Sequence, residues 1–386
     1  MSDYFVTGHK ALSAGKGHKA ISMFKKFIKL IPCKEGYLNL GSAYRLIEDD
    51  ASALECYLLA ADDSVAFANG TYGKFDLALN NIGLLSYSEN NMSEALAFFN
   101  AALEVNPYYG EAIWNISCTL LKSTNCATGW AEYEWRFNRG ESSVKIKQGL
   151  PVWDLSSCGS SICVQTEQGF GDKIQFGRYL EHLHSYFPTV TVLCHPSQDV
   201  FFSGYKCVRE LEGEFTIPMC SLVQKFGIVD CLASRGRLNE ISAINRNGFN
   251  IAVCNAGSLT HANNKYRSCP IGYMSSLSTF GNLYSLDPAG TGGKNITPLS
   301  PRSWEETIGL IRGMQLVVTV DTSIVHLAGT LGIPCLMLQP RRVPDFRWGM
   351  PGDKNVWYDS VITIDNDGTW DNAFDNVREI MKCIKA

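Results

Sequence analysis

The sequence has little surplus of either charge: 34 lysines and arginines face 38 aspartates and glutamates, for a net charge of −4. That balance excludes a general polyanion binder and leaves a local basic pocket as the way to hold phosphate. No apolar run approaches the roughly 18 residues of a membrane span. The polar start Met1-Ser2-Asp3 followed by His9-Lys10 does not resemble a signal peptide, so a cytoplasmic location is expected. Three chemical signatures are missing as well. Without Gly-x-x-x-x-Gly-Lys-Ser/Thr there is no triphosphate loop, without Gly-x-Gly-x-x-Gly no dinucleotide fingerprint, and without Gly-x-Ser-x-Gly no hydrolase elbow. Cysteine is plentiful at 14 residues, yet no Cys-x-x-Cys occurs. Scattered from Cys33 to Cys383, these read as free thiols. His182-x-His184 with Cys194-His195 lacks the paired spacing of a zinc site. Asp365-Asn366-Asp367-Gly368 follows a late strand and reads as a turn, so neither a metal nor a cofactor is expected.

What the chain does have is length and order. Its 386 residues suit two or three domains, and 45 % apolar residues suit a folded protein. The first third repeats itself. Ala20, Phe24 and Pro32 recur as Ala53, Tyr57 and Val65, then as Ala95, Phe99 and Pro107. Gly8, Gly41 and Gly83 recur ahead of them at intervals of about 33 and 42 residues, the longer one carrying an insertion within Asp62 to Gly73. Small residues where helices cross, aromatics that fill the groove and a proline that ends the second helix resemble the tetratricopeptide repeat. A degenerate fourth unit starts near Glu111 and runs through Trp130 to Phe137. The aromatic stripes read first as helix-helix core and second as a binding face.

After Gly140 the pattern changes to a linker and then to strand, glycine turn, helix and strand. Ser161–Gln165, the turn Glu167–Asp172, a helix over Lys173–Tyr186 and Thr189–Leu193 make a βαβ unit, hence a parallel sheet. A second half begins after Gly248 with the strand at Asn250–Cys254. Ser303 and Glu306 form a capping box for a helix ending at Gly313. Leu316–Val320 is a buried strand, followed by a helix over Ile324–Leu331. The expected domains are 1–140, 141–248 and 249–386, with a cleft between the last two.

Asp321-Thr322-Ser323 sits where a buried strand ends and a helix begins. Free N–H groups and the helix dipole attract anions there, so a diphosphate would fit, with His326 one turn further on. The plainer reading makes Asp321 and Ser323 caps and His326 a core histidine. The run Asp321-Thr322 to His326-Leu327-Ala328-Gly329, followed by Gly332-Ile333-Pro334, resembles the nucleotide-sugar signature of heptosyltransferase-like family 9 glycosyltransferases. Gly171-Asp172 resembles that family's turn after the first strand, and Tyr133–Phe137, Pro151–Asp154, Asp345–Trp348 and Trp357-Tyr358 resemble segments of proteins that fuse such a region to tetratricopeptide repeats. Cys254-Asn255-Ala256-Gly257 departs from it, since a tryptophan-containing turn is common there.

The resemblance implies a helical repeat domain followed by a GT-B fold of two Rossmann-like domains, acting as a metal-independent, inverting glycosyltransferase. Asp172 becomes the base on the acceptor hydroxyl, a lone carboxyl group facing the donor. Asp321, Thr322, Ser323 and His326 become donor-binding residues, with Lys265 and Arg267 as partners of phosphate oxygens or else an exposed pair. Glu167, Gln168, Gly169, Gly171 and Gly257 line the cleft. Asp172 also reads as a helix cap with packing glycines beside it. The donor is a nucleotide-diphosphate sugar; the acceptor is a protein, a glycan or a modified nucleic acid, recruited with or without a protein partner by the repeats. Two alternatives stand beside this: a repeat scaffold with a vestigial or nucleotide-sugar-sensing GT-B region, and a glycosyltransferase acting on modified nucleic-acid bases.

Overall fold

The computed structural model describes residues 3–71, 73–124, 126–258, 264–287, 292–340, 342, 345–366 and 369–385. The chain divides into two compact units, Met1–Ser143 and Val144–Ala386.

The first unit is helical: α1 (Asp3–Ser13), α2 (Gly17–Leu30), α3 (Lys34–Leu46), α4 (Asp50–Ala61), α5 (Asp76–Ser88), α6 (Met92–Val105), α7 (Gly110–Thr124) and α8 (Ala127–Glu132). The repeated residues are those that let paired helices cross. A Cβ on Gly8, Gly41 or Gly83 would lie 2.7, 2.5 or 2.6 Å from a ring carbon of Phe24, Tyr57 or Phe99. Ala20, Ala53 and Ala95 are fully buried behind those rings. Side-chain caps start two of the helices, Asp49 accepting from the Ser52 N–H and Asn91 from the Glu94 N–H. The insertion lies between α4 and α5, over the buried Lys34, whose Nζ donates to the carbonyls of Ala60 and Asp62. In the fourth unit the expected second helix is cut short. α8 gives way to a 3-10 turn over Tyr133–Phe137, which sets Tyr133 against Trp114 and Trp130 at 4.8 and 5.3 Å.

The second unit is α/β, in two halves. The first holds β1 (Ser161–Gln165), α9 (Phe170–Phe176), β2 (Thr189–Leu193), β3 (Lys206–Val208), β4 (Phe215–Pro218), α10 (Leu222–Phe226) and α11 (Leu232–Leu238). The second holds β5 (Asn250–Cys254), α12 (Asn264–Arg267), α13 (Ile271–Ser275), β6 (Asn282–Ser285), β7 (Ile296–Pro298), α14 (Trp304–Arg312), β8 (Leu316–Val320), α15 (Ser323–Leu331), β9 (Cys335–Leu338), β10 (Val361–Ile364) and α16 (Trp370–Lys385). Two sheets result, in the orders β3-β2-β1-β4 and β10-β9-β8-β5-β6-β7, and every paired strand runs parallel to its neighbours.

The helix expected over Lys173–Tyr186 is instead α9 followed by a 3-10 stretch, Gly177–Ser185. The change of pitch comes where Arg178 turns inward, fully buried, to donate to the carbonyls of Gln175, Val229 and Trp357. In the second half, β5, β8 and β9 are buried at every position, as strands covered on both faces must be. The architecture is therefore a helical repeat region followed by two Rossmann-like halves of the GT-B type. Among the described residues no helix is long and apolar enough to cross a membrane.

Candidate active site

A cleft of about 1340 Å³ opens between the two halves of the second unit. The carboxyl ends of β1, β5 and β8 lead into it, the position where open parallel sheets bind ligands. From the first half come Gln168, Gly169, Phe170, Gly171 and Asp172; the second contributes Cys254, Gly257, Arg267, Asp321, Thr322, Ser323 and His326.

Thr322 caps α15, its Oγ1 accepting from the Ile324 N–H at 3.3 Å. This brings the amino end of α15 to the cleft while the helix from Ile324 to Leu331 is buried. The small residues of that helix matter: a Cβ on Gly329 would fall 2.4 Å from the Tyr358 ring. Arg267 lies across the same end of the cleft. Its Nη1 donates to the Asp321 carbonyl at 2.9 Å, and its guanidinium rests where a Cβ on Gly257 would stand 2.6 Å away. A cation and a helix amino end therefore converge. The Asp321 carboxyl is pushed up to about 6 by burial and by the Asp345 charge, with Arg267 opposing.

Asp172 faces this corner from α9, and it is not solitary. One oxygen accepts from the Gly169 N–H at 2.9 Å, the reach-back of a capping box. The other pairs with Arg347. Arg347 is itself a hub, with both Asp345 oxygens at 2.9 and 2.8 Å from Nη1 and Gln175 Oε1 at 2.9 Å from Nε. Burial pushes the Asp172 carboxyl above the usual carboxylate range, with Arg347 and the Gly169 N–H pulling the other way. The expected lone carboxyl group is thus a clamped one.

His326 lines the cleft but is buried, its ring filling the space a Gly171 Cβ would take at 2.7 Å. Its Nδ1 is 3.1 Å from the Tyr358 hydroxyl and its ring 5.2 Å from Trp348. Burial and the Arg347 charge drive its pKa down to about 3, so the imidazole is neutral. Two expected residues lie elsewhere. Glu167 is buried, and its Oε1 accepts from the Cys220 N–H at 3.0 Å, outside the cleft lining. Lys265 is exposed, its Nζ over the Tyr266 ring at 4.5 Å, and it too is absent from the lining. The glycine turn reaching toward Arg267 falls partly outside the described residues, at 259–263, as do Asp367 and Gly368.

Sequence reasoning missed Arg347, Asp345, Gln175 and Tyr358 as site residues. Asp345 and Arg347 stand two apart within a segment already singled out, but their partners are 172 and 175 positions away from Arg347. It also missed an aromatic group at the cleft, Phe170 against Trp304 at 4.9 Å and Phe201 against Trp304 at 5.1 Å.

Comparison with known proteins gives a tetratricopeptide repeat family match over residues 77–109, which spans α5 and α6. No curated protein matches the chain. Among solved structures, a mutant O-GlcNAc transferase of Thermobaculum terrenum is 11 % identical, over 96 % of this chain and 88 % of that one, at a TM-score of 0.34. A dodecameric iron-containing heptosyltransferase in complex with ADP-D-β-D-heptose is 11 % identical over 53 % and 65 %, at 0.38. A family 9 glycosyl transferase from Veillonella parvula is 10 % identical over 59 % and 90 %, at 0.36.

Proposed function

We propose that the second unit is a metal-independent, inverting glycosyltransferase that takes a nucleotide-diphosphate sugar as donor, and that the helical repeats recruit the acceptor or a protein partner. The observation that carries this reading is the convergence of the α15 amino end and the Arg267 guanidinium in one cleft with Asp172 opposite. Group transfer from a diphosphate needs its leaving charge held and the acceptor proton removed. The helix end and Arg267 stabilise the charge that develops on the departing diphosphate. Asp172, its carboxyl raised by burial, takes the acceptor hydroxyl proton. As the acceptor oxygen bonds to the anomeric carbon, the bond to the diphosphate oxygen breaks, through a transition state with oxocarbenium character. Attack from the Asp172 side, opposite the donor, inverts the anomeric centre.

The test is a melting-temperature series with nucleoside diphosphates. One of them raises the melting temperature of the full chain, and Arg267→Ala abolishes the rise. No shift with any nucleoside diphosphate removes the reading.

A second reading, a nucleotide-sugar sensor that transfers nothing, draws on the Asp172–Arg347 pair, since both carboxylate oxygens already have partners. Donor turnover separates the two. Under the first reading, Asp172→Asn keeps donor binding and loses donor hydrolysis and transfer; under the second, the wild-type chain binds donor and never consumes it.

A further inference from the structure

Cys194, Asp199 and Cys207 meet at the edge of the first sheet, although they come from three different segments. Cys194 follows β2 directly, Cys207 is the middle residue of the neighbouring strand β3, and Asp199 lies in the 3-10 turn Pro196–Phe202 between them. Val192 pairs with Cys207, and alternate residues of a strand share a face. Cys194, two beyond Val192, therefore lies on the face that Cys207 occupies. The two sulfurs and a carboxylate oxygen all lie within 4.8 Å of one another, and Cys194 Sγ is 3.3 Å from Asp199 Oδ1.

A tetrahedral zinc ion bonds sulfur at about 2.3 Å and carboxylate oxygen at about 2.0 Å, which sets its ligand atoms roughly 3.5–4 Å apart. The cluster is already near that size. Its carboxylate is also aimed. Arg209 Nη2 holds Asp199 Oδ2 at 2.5 Å, leaving Oδ1 turned to the thiols, while Nη1 donates to the Cys194 and Val208 carbonyls at 3.2 Å each. Fixing a ligand's free end in this way is what the surroundings of a metal site do. Charge closes as well: two thiolates and a carboxylate around a divalent ion leave one negative charge, which Arg209 offsets. Cys207 and Asp199 line a hollow of about 1150 Å³, which gives an ion a way in and room for a water at the fourth position.

We propose that Cys194, Cys207 and Asp199 bind one zinc ion, with Arg209 as the positioning residue. On binding, two Zn–S bonds and one Zn–O bond to Asp199 form as the hydrated ion releases water, and each thiol gives its proton to solvent, with no change of oxidation state. The ion pins the three-residue edge strand β3 and the 3-10 turn to β2. None of the three ligands lines the cleft that holds Asp172 and Ser323, so this inference stands apart from the proposed transferase reading.

The experiment uses the full chain, reduced and stripped of metal, titrated with zinc against a chromophoric chelator and then with cobalt(II) to read sulfur-to-metal charge-transfer absorption. One tight equivalent per chain is expected, and it disappears in Cys207→Ser. Asp199→Asn, which alters a half-exposed side chain and leaves the fold intact, weakens it. Arg209→Gln weakens zinc binding by roughly 10–100-fold. Cys158→Ser and Cys383→Ser, at the exposed thiols, leave it unchanged. The proposal is overturned if the wild-type chain takes up no tight equivalent, if that equivalent survives Cys207→Ser, or if Cys194 and Cys207 are recovered joined as a disulfide in place of the metal.

Discussion

At the scale of single residues, the cleft is governed by ionisable groups that burial has moved. Asp321 stands at the amino end of α15 with its carboxyl pushed up to about 6, so it loses its charge just below neutrality. The proposed donor, a nucleotide sugar, carries a diphosphate diester with nothing of its own to titrate there. Its affinity therefore rises as pH falls through that range, by about tenfold between about pH 8 and about pH 5 if the bound anion raises Asp321 by one further unit. Isothermal titration across that range checks this, and in Asp321→Asn the dependence flattens at the tight limit. His326 acts on stability instead. Its folded pKa of about 3 lies below the ordinary 6.5, so the unfolded chain binds the extra proton between those values. Stability then falls with falling pH at up to about 1.4 kcal/mol per pH unit. Asp321 opposes part of this: raised from 3.8 to about 6, it makes its contribution below 3.8 and loses it as pH climbs through 6. Denaturant melts of His326→Gln against wild type over this range isolate the histidine slope.

At the scale of helices and strands, packing and propensity compete in a way that can be measured. Gly83→Ala in α5 removes a flexible residue from a helix interior, a gain of up to about 1 kcal/mol. Its new Cβ, however, would stand 2.6 Å from the Phe99 ring, which has no exposed surface into which to move. Overpacking of that kind costs about 1–3 kcal/mol, so the net effect is destabilising. Gly236→Ala in α11 meets nothing within 4 Å and gains stability from propensity alone. Calorimetry of the two variants should show opposite shifts. The same contrast explains what was legible in the chain. Gly8, Gly41 and Gly83 with their aromatic partners could be read directly, because each contact forms within one helix pair at a nearly constant spacing. Strands β1, β2, β5 and β8 were equally legible as short apolar runs, whereas β3, β4 and β7, only three or four residues long, were not read as strands because so short a segment shows no periodicity. The break after Phe176 was not, because its cause is a buried arginine whose acceptors include Val229 and Trp357, far outside any local window. Glu167 escaped for a similar reason: its acceptor role depends on the Cys220 N–H, in the 3-10 turn that follows β4.

At the scale of the second unit, the cleft exists because its two halves touch in a few places and stand apart elsewhere. The glycine turn and the Asp321–Gly329 run each showed which residues reach the cleft from one side. What crosses it depends on pairings that only the fold creates. His326 rests on Gly171, Arg235 Nε donates to the Thr330 carbonyl at 3.0 Å, and Arg347 reaches from the segment after β9 to Asp172 and Gln175 on α9. The last contact also touches the proposed chemistry, which makes it the informative one to break. Arg347 is 8 % exposed and Asp172 16 %, so Arg347→Ala leaves carboxylates stranded in a largely dry site at a cost of about 3–5 kcal/mol. Arg347→Lys keeps the charge but cannot span Asp345, Gln175 and Asp172 with one planar fork, and it recovers only part of that stability. The two variants should also differ in their pH profiles. Arg347 pulls the Asp172 carboxyl down against its burial; with alanine in its place the carboxyl rises further, and the acidic limb of transfer activity moves to higher pH. With lysine it moves less. An acidic limb that stays put in Arg347→Ala, with stability lost as expected, would leave Arg347 as a strut between the halves and take Asp172 out of the proton transfer.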